Sequence, residues 1–265
     1  MARMTNLPIL GPVMEYIFFE EDDMIVLTKD SVIKGAVGEL TVIEVNVMVE
    51  PVDTVLPSKV VEHFIRNSKY IFLMNRCMCR DANHCKDYPI ELGCLFLGRG
   101  VLKIDDNLGR RVTQEEALEH LRRCREAGLV HLIGRNKIDS VWLNTGPKED
   151  LLSLCSCCPC CCLWKMIPEL SPEISGMVTM MPGLTIRVDE EKCTGCDGCE
   201  RSGVCYVDAI KVKGNKAAIN ESYCKGCGRC IEVCPSSAIE LMIDDPSFME
   251  SSIKRIETLV DISSD

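Results

Sequence analysis

The run C-T-G-C-D-G-C (193–199), then Cys205, then C-K-G-C-G-R-C-I-E-V-C-P (224–235), decides how the chain is read. Its second half, Cys224, Cys227, Cys230 and Cys234 followed by Pro235, is C-x2-C-x2-C-x3-C-P without departure. That spacing wraps three thiolates round one [4Fe–4S] cube and sends the fourth to a neighbouring cube. The first half repeats the three-cysteine run, but five residues instead of three precede Cys205, and Tyr206 stands in the proline's place. V-D-E-E-K (188–192) leads into the first run and I-N-E-S-Y (219–223) into the second, while Ala209-Ile210 and Ala238-Ile239 follow, so the stretch is an internal repeat of 31 residues. Two structural zinc sites are the competing reading, because C-x2-C pairs also suit zinc. Zinc seldom takes a third cysteine at the next such step, and it leaves Pro235 unexplained.

The stretch closely resembles the two-cluster bacterial ferredoxins. The resemblance implies two [4Fe–4S] cofactors with crossed ligands: Cys193, Cys196, Cys199 and Cys234 on one, and Cys224, Cys227, Cys230 and Cys205 on the other. Gly195, Gly198, Gly226 and Gly228 let backbone N–H groups approach cluster sulfurs where side chains would intrude. Acidic flanks at Asp189, Glu190, Glu191 and Glu200 disfavour adding an electron and argue for a low potential. The longer spacing before Cys205 and the lost proline predict two unequal potentials.

Composition sets the frame. A chain of 265 residues, 46% hydrophobic but only 5% aromatic, is long enough for one large or two modest domains with an aliphatic core. Nineteen cysteines in a chain this long do not read as a disulfide scaffold. The opening residues, broken by Pro8 and Pro12, make a poor signal peptide, and no apolar run is long enough for a membrane span. The expectation is a cytoplasmic protein whose thiols serve metal or redox chemistry, from an anaerobic source. The net charge of −10 sits at the ends: residues 1–60 hold ten acids and four bases, and residues 244–265 hold six acids and two bases. An acidic-ended, neutral-centred chain is not expected to bind nucleic acid.

In chain order, residues 13–56 read as mostly extended, with Leu40, Val42, Val45, Val47 and Val49 alternating against Glu44, Asn46 and Glu50. Pro57-Ser58 opens a helix with Val60, Val61, Phe64 and Ile65 on one face, and 70–74 is a short strand. A cysteine loop follows, holding Cys77, Cys79, Cys85 and Cys94. T-Q-E-E (113–116) is a capping box for a helix that turns Ala117, Leu118, Leu121 and Cys124 inward and ends near Gly128. Residues 129–133 and 140–143 then read as two short strands, the rhythm of a winged helix, with Arg122, Arg123, Arg125, Arg135 and Lys137 as a local basic face. A second tract, C-S-C-C-P-C-C-C (155–162), supplies Cys155, Cys157, Cys158, Cys160, Cys161 and Cys162, and such thiolate tracts chiefly ligate soft metals. Cys124 reads as core, and His84, beside Cys85, is the one histidine placed near these thiols.

The two N-terminal cysteine segments are expected to meet in one composite site, enough for at least one further iron–sulfur cluster. C-M-C-R (77–80), Cys85, C-L-F-L-G (94–98), G-L-V (128–130) and the 155–162 tract resemble a group of ferredoxin-like proteins of anaerobic bacteria and archaea, over roughly residues 58–240. The fold class expected is α+β: a cysteine-rich α+β domain, winged-helix-like in part, followed by a ferredoxin-like two-cluster domain. The partition expected is a mostly β segment (1–56), the cysteine-rich domain (57–165), a linker (166–186), the two-cluster domain (187–243) and a closing amphipathic helix with an acidic tail (244–265). The function expected is passage of single low-potential electrons between a soluble donor and a larger oxidoreductase. Two alternatives are an oxidoreductase with its own substrate site at the N-terminal cysteines and a redox or metal sensor. No Ser-His-Asp order, H-E-x-x-H or dinucleotide-binding loop marks a catalytic site.

Overall fold

Short apolar runs build a seven-stranded sheet in the computed structural model, which describes residues 2–8, 10–43 and 56–263. Its strands are β1 (Asp23–Val26), β2 (Ile71–Met74), β3 (Leu95–Leu97), β4 (Gly109–Arg111), β5 (Val130–Arg135), β6 (Leu152–Cys157) and β7 (Val178–Met180), in the order β4-β2-β3-β6-β5-β1-β7. All pairings are antiparallel except β1 with β7. Because successive side chains of a strand point to opposite faces, Ile25, Ile133, Leu152 and Leu154 enter one core, while Met24, Val26, Val130 and Leu132 enter another. The same alternation delivers Cys155 and Cys157 of β6 to the second face.

Helices α3 (Ser58–Asn67) and α5 (Gln114–Glu126) cover the first face with Val60, Val61, Phe64, Ile65, Ala117 and Leu121. The expected capping box is present: Thr113 Oγ1 accepts from Glu116 N (3.2 Å), and the Glu116 carboxylate accepts from Thr113 N (2.9 Å). Gly128, at φ +75°, turns the chain out of the helix into β5. The closing helix α10 (Phe248–Glu257) buries Phe248, Met249 and Ile256 in this same core, and its Arg255 pairs with Asp23 of β1. The second face is closed by the helical turn Leu163–Glu169, by α7 (Pro172–Gly176) and by Tyr206, Val207 and Ala209.

The repeated cysteine stretch forms its own unit. β8 (Leu184–Val188) pairs with β11 (Ile239–Ile243), β9 (Ile210–Lys213) pairs with β10 (Lys216–Ile219), and short helices α8 (Gly198–Arg201) and α9 (Arg229–Glu232) hold the third cysteine of each run. Its Ile186, Ile210, Ile239 and Leu241 are continuous with the first core of the large sheet.

Three expectations are corrected. The N-terminal segment is mainly helical where described: α1 (Leu10–Phe18) and α2 (Asp30–Ile43) flank the single strand β1, and Leu40 and Val42 fall in α2. The helical pattern begins upstream of those valines, at Val32, Ile33, Ala36 and Val37, which pack at i, i+1, i+4 and i+5. Val45, Val47 and Val49 lie outside the described residues. Residues 140–143 are not a strand. They belong to helix α6 (Lys137–Trp142), which Asn136 caps by accepting from Ile138 N, while buried Asp139 accepts from Ser153 Oγ (2.6 Å). With β5 in the interior of a seven-stranded sheet, the two-strand ribbon of a winged helix is not formed. Residues 166–186 are not a linker either, because their prolines and glycines punctuate short packed elements. Pro172 sits in the first turn of α7, capped by Ser171, and β7 adds to the edge of the large sheet.

Candidate metal centres

Within the C-terminal unit, Cys193, Cys196, Cys199 and Cys234 line one cavity of about 10 Å³, and Cys205, Cys224, Cys227 and Cys230 line another of about 20 Å³. Each cavity thus receives three sulfurs from one run and a fourth from the other. Backbone amides donate to sulfur at both: Ala217 N to Cys193 Sγ (3.4 Å), Ala238 N to Cys234 Sγ (3.3 Å) and Ala209 N to Cys205 Sγ (3.2 Å). Gly195 and Gly226 take equivalent turns at φ +70° and +66°, where a Cβ would collide with the Asn215 carbonyl and the Met180 side chain. Gly198 differs from the expectation: the left-handed position in its turn is held by Asp197 (φ 55°), as Gly228 holds it in the second run. Burial pushes the Cys224 thiol up to about 11 and the Cys230 thiol higher still. Buried thiolates of this kind need a cationic partner, and the donor set, the N–H···S bonds and the absent Cβ atoms all fit a [4Fe–4S] group.

The two cavities differ in their surroundings. Cys196 of the first is exposed. The second is gripped by the N-terminal half: Thr28 Oγ1 donates to the Gly226 carbonyl (2.7 Å), Lys29 N to the Cys227 carbonyl (3.2 Å), and Lys29 pairs with Glu232 (2.5 Å). Arg229 is buried beside it and donates to the Cys157 carbonyl, so its charge lies between two sets of thiols. Tyr206, 4% exposed, packs with Cys162 and Trp164, and Cys205, Cys224 and Cys227 lean on the same cluster.

The ten N-terminal cysteines, expected in one composite site, fall into two groups. Cys79, Cys77, Cys94, Cys155, Cys157 and Cys162 form a chain of thiol–thiol interactions in that order. They line a cavity of about 40 Å³, larger than either C-terminal cavity. Hydrogen bonds from Cys79 and Cys94 pull the Cys77 thiol far below its ordinary value, and Cys155 and Cys162 do the same to Cys157. Cys85, Cys158, Cys160 and Cys161 make the other group, their sulfurs all within 4.8 Å of one another.

Arg80 ties these segments together, and sequence reasoning passed over it. It lies in the short helix α4 (Met78–Ala82), fully buried. Its Nε donates to Pro89 O (2.8 Å), Nη1 to Ser156 O (2.8 Å) and Nη2 to Leu92 O, so one guanidinium joins the cysteine loop to β6. The only signal was its place in C-M-C-R (77–80). Cys124 is buried between Leu92, Leu129 and Cys158, in keeping with a core role. His84 is exposed. Most of the basic face is neutralised: Arg122 pairs with Glu119 and Glu126, Arg135 with Glu21 and Glu149, and Lys137 with Glu20.

A family model described as a 4Fe-4S binding domain matches residues 217–240. The chain is 40% identical over 58 residues to indolepyruvate oxidoreductase subunit IorA of Methanothermobacter marburgensis, covering 22% of this chain and 9% of that one. It is 43% identical over 54 residues to a subunit of an ion-translocating oxidoreductase complex of Methanosarcina acetivorans, covering 20% of each. A ferredoxin of Methanothermococcus thermolithotrophicus is 30% identical over 56 residues, 21% of this chain and 93% of that one. The chain therefore spans a fifth or less of the two oxidoreductase subunits and nearly all of the small protein. No solved structure matches. No helix among the described residues is long and apolar enough to cross a membrane.

Proposed function

Because this chain belongs to the ferredoxin family through its 4Fe-4S binding domain, we propose that it carries single low-potential electrons between a soluble donor and a larger oxidoreductase. In this reading residues 187–243 hold two [4Fe–4S] cubes, with the crossed ligands named above, and the six-thiol cavity holds a further iron–sulfur cluster. A cube held by four thiolates supplies one-electron exchange with little rearrangement. The chain's own residues bind and tune. The amides of Ala209, Ala217 and Ala238 stabilise negative charge on ligand sulfurs. Thr28 and Lys29 hold the loop of the second run by hydrogen bonds to the Gly226 and Cys227 carbonyls, and Met180 packs against Gly226.

The observation that carries the proposal is the joint between the second cavity and the six-thiol cavity. Tyr206 and Arg229 line the second cavity, while Tyr206 packs in one cluster with Cys162 and Trp164 of the six-thiol cavity and Arg229 donates to the Cys157 carbonyl. Relatives named as oxidoreductase subunits support a larger redox enzyme as partner.

The test uses the full chain purified without oxygen. Iron and acid-labile sulfide are counted, and reoxidation of the dithionite-reduced protein is followed with and without a candidate oxidoreductase. Two cubes account for about eight irons, so the expected count is clearly higher, and reoxidation is expected to require the second protein. A count of about eight removes the third cluster. Turnover of a small molecule by the chain alone would replace the carrier reading with an enzyme.

A further inference from the structure

The geometry points to a mononuclear metal site, separate from every cluster proposed above: we infer that Cys85, Cys158, Cys160 and Cys161 together bind one thiophilic divalent ion, Zn²⁺ or Fe²⁺, in a tetrahedral S4 shell. The sulfurs of Cys160 and Cys158 are 3.5 Å apart, those of Cys160 and Cys85 3.6 Å, and those of Cys160 and Cys161 3.6 Å, with all four inside 4.8 Å. A tetrahedral ion with metal–sulfur bonds of about 2.3 Å requires ligand sulfurs about 3.8 Å apart. A cube interposes iron and sulfide between its ligands and holds their sulfurs roughly 6 Å apart. A disulfide would bring two of them to about 2 Å. The observed spacing fits the single ion and neither alternative. Among the described residues this is the one group of three or more His, Cys, Asp or Glu ligand atoms drawn so close.

The chain prepares the site from both sides. Cys85 N donates to the Arg80 carbonyl (2.9 Å), and the Arg80 guanidinium reaches Ser156, two residues before Cys158. The loop after α4 and the turn after β6 are therefore fixed against each other before any ligand is counted. Pro159 separates Cys158 from Cys160 in that turn. Cys158 is buried and also contributes to the wall of the six-thiol cavity, whereas Cys85, Cys160 and Cys161 are partly exposed. A closed four-thiolate shell leaves no open coordination position, which is the pattern of a structural ion. Its work is to staple two cysteine segments and close one side of the six-thiol cavity. The inference is independent of electron transfer, since it rests on sulfur spacing alone.

The test is metal analysis of the full anaerobic chain with X-ray absorption at the zinc and iron edges. The expected result is about one zinc per chain, or one iron in excess of sulfide, with four sulfurs at about 2.3 Å. The zinc edge should show an S4 shell with no iron neighbour; because every cluster iron also has four sulfur neighbours at about this distance, iron in the site is identified by its excess over sulfide and not by the iron edge. A Cys85→Ser/Cys160→Ser variant should lose that one ion while keeping its cluster iron and sulfide, and a Cys124→Ala variant should lose nothing. Loss of iron and sulfide in equal amounts from the double variant would overturn the inference in favour of a cube. So would a wild-type chain with negligible zinc and all iron matched by sulfide, a result that does not depend on whether the variant folds.

Discussion

Replacing Arg80 is the perturbation that most directly tests how the N-terminal sites are held. The side chain is fully buried, and its three donors satisfy three carbonyls, those of Pro89, Leu92 and Ser156. A hydrogen bond to a charged group contributes about 1.5–3 kcal/mol, and a carbonyl stranded without a partner costs about 1–3 kcal/mol. Three such bonds would sum to well over 5 kcal/mol if they were independent, but they share one guanidinium, and Pro89 is only partly buried. About 4 kcal/mol for Arg80→Ala is therefore the expected loss. That is a large share of the roughly 5–15 kcal/mol that holds a domain together. It falls on a loop carrying four candidate ligands, Cys77, Cys79, Cys85 and Cys94. Arg80→Lys keeps the charge but presents a single head group in place of a planar fork, so it should recover about a third of the loss. Anaerobic urea unfolding followed by circular dichroism measures the stability, and metal analysis of the same samples measures the consequence. Arg80→Ala should lose the N-terminal metal while keeping about eight irons in the C-terminal unit. A variant that unfolds at the wild-type midpoint with its metal content intact would show that the guanidinium does not hold the two segments together.

Two other outcomes are expected. Arg229→Met removes a buried positive charge from beside Cys157 and Cys227, so reduction there should become harder, with one potential moving on the order of 100 mV more negative in an EPR-monitored titration. An unchanged pair of potentials would refute the placement. Burial pushes the Asp22 carboxyl up to about 7, even though it accepts from Lys137 N (2.6 Å). Since the unfolded carboxyl is ionised above about pH 5, the folded state binds the extra proton and stability falls as pH rises through 7. The stability difference between wild type and Asp22→Asn should therefore shift against the wild type by about 1.4 kcal/mol from pH 6 to pH 8, and a pH-independent difference would refute it.

Sequence patterns exposed some of these features and hid others, for physical reasons. The cysteine runs were legible because metal ligation demands fixed short spacings, and α3 and α5 because their apolar faces and cap follow a local period. Residues 140–143 misled because S-V-W-L is apolar enough for a strand, whereas the cap that makes it a helix, Asn136, lies upstream, and Ser153, the buried partner of Asp139, lies in β6. The division of ten cysteines into six and four was invisible for a related reason. Cys157 lines only the six-thiol cavity, whereas its neighbour Cys158 stands in that cavity's wall and also joins the group of four, and only the folded turn after β6 fixes which sulfurs meet. Arg80 carries no such local signal, because a buried arginine is recognisable only by the carbonyls it finds in the fold.

The departures of the first cysteine run from the second follow from this packing. The family's proline position is occupied by Tyr206, whose ring lies in the apolar cluster with Cys162 and Trp164, and the longer spacer before Cys205 gives the chain length to carry it there. At the position where the first run has Gly198, the second has Arg229, which reaches the Cys157 carbonyl. Both substitutions lie on the side of the repeat that meets the large sheet. The first cavity instead keeps Gly195 and an exposed Cys196. A symmetric two-cluster unit would offer partners two equivalent faces. Here one face packs against the elements that line the six-thiol cavity, while Cys196 at the first cavity stays exposed.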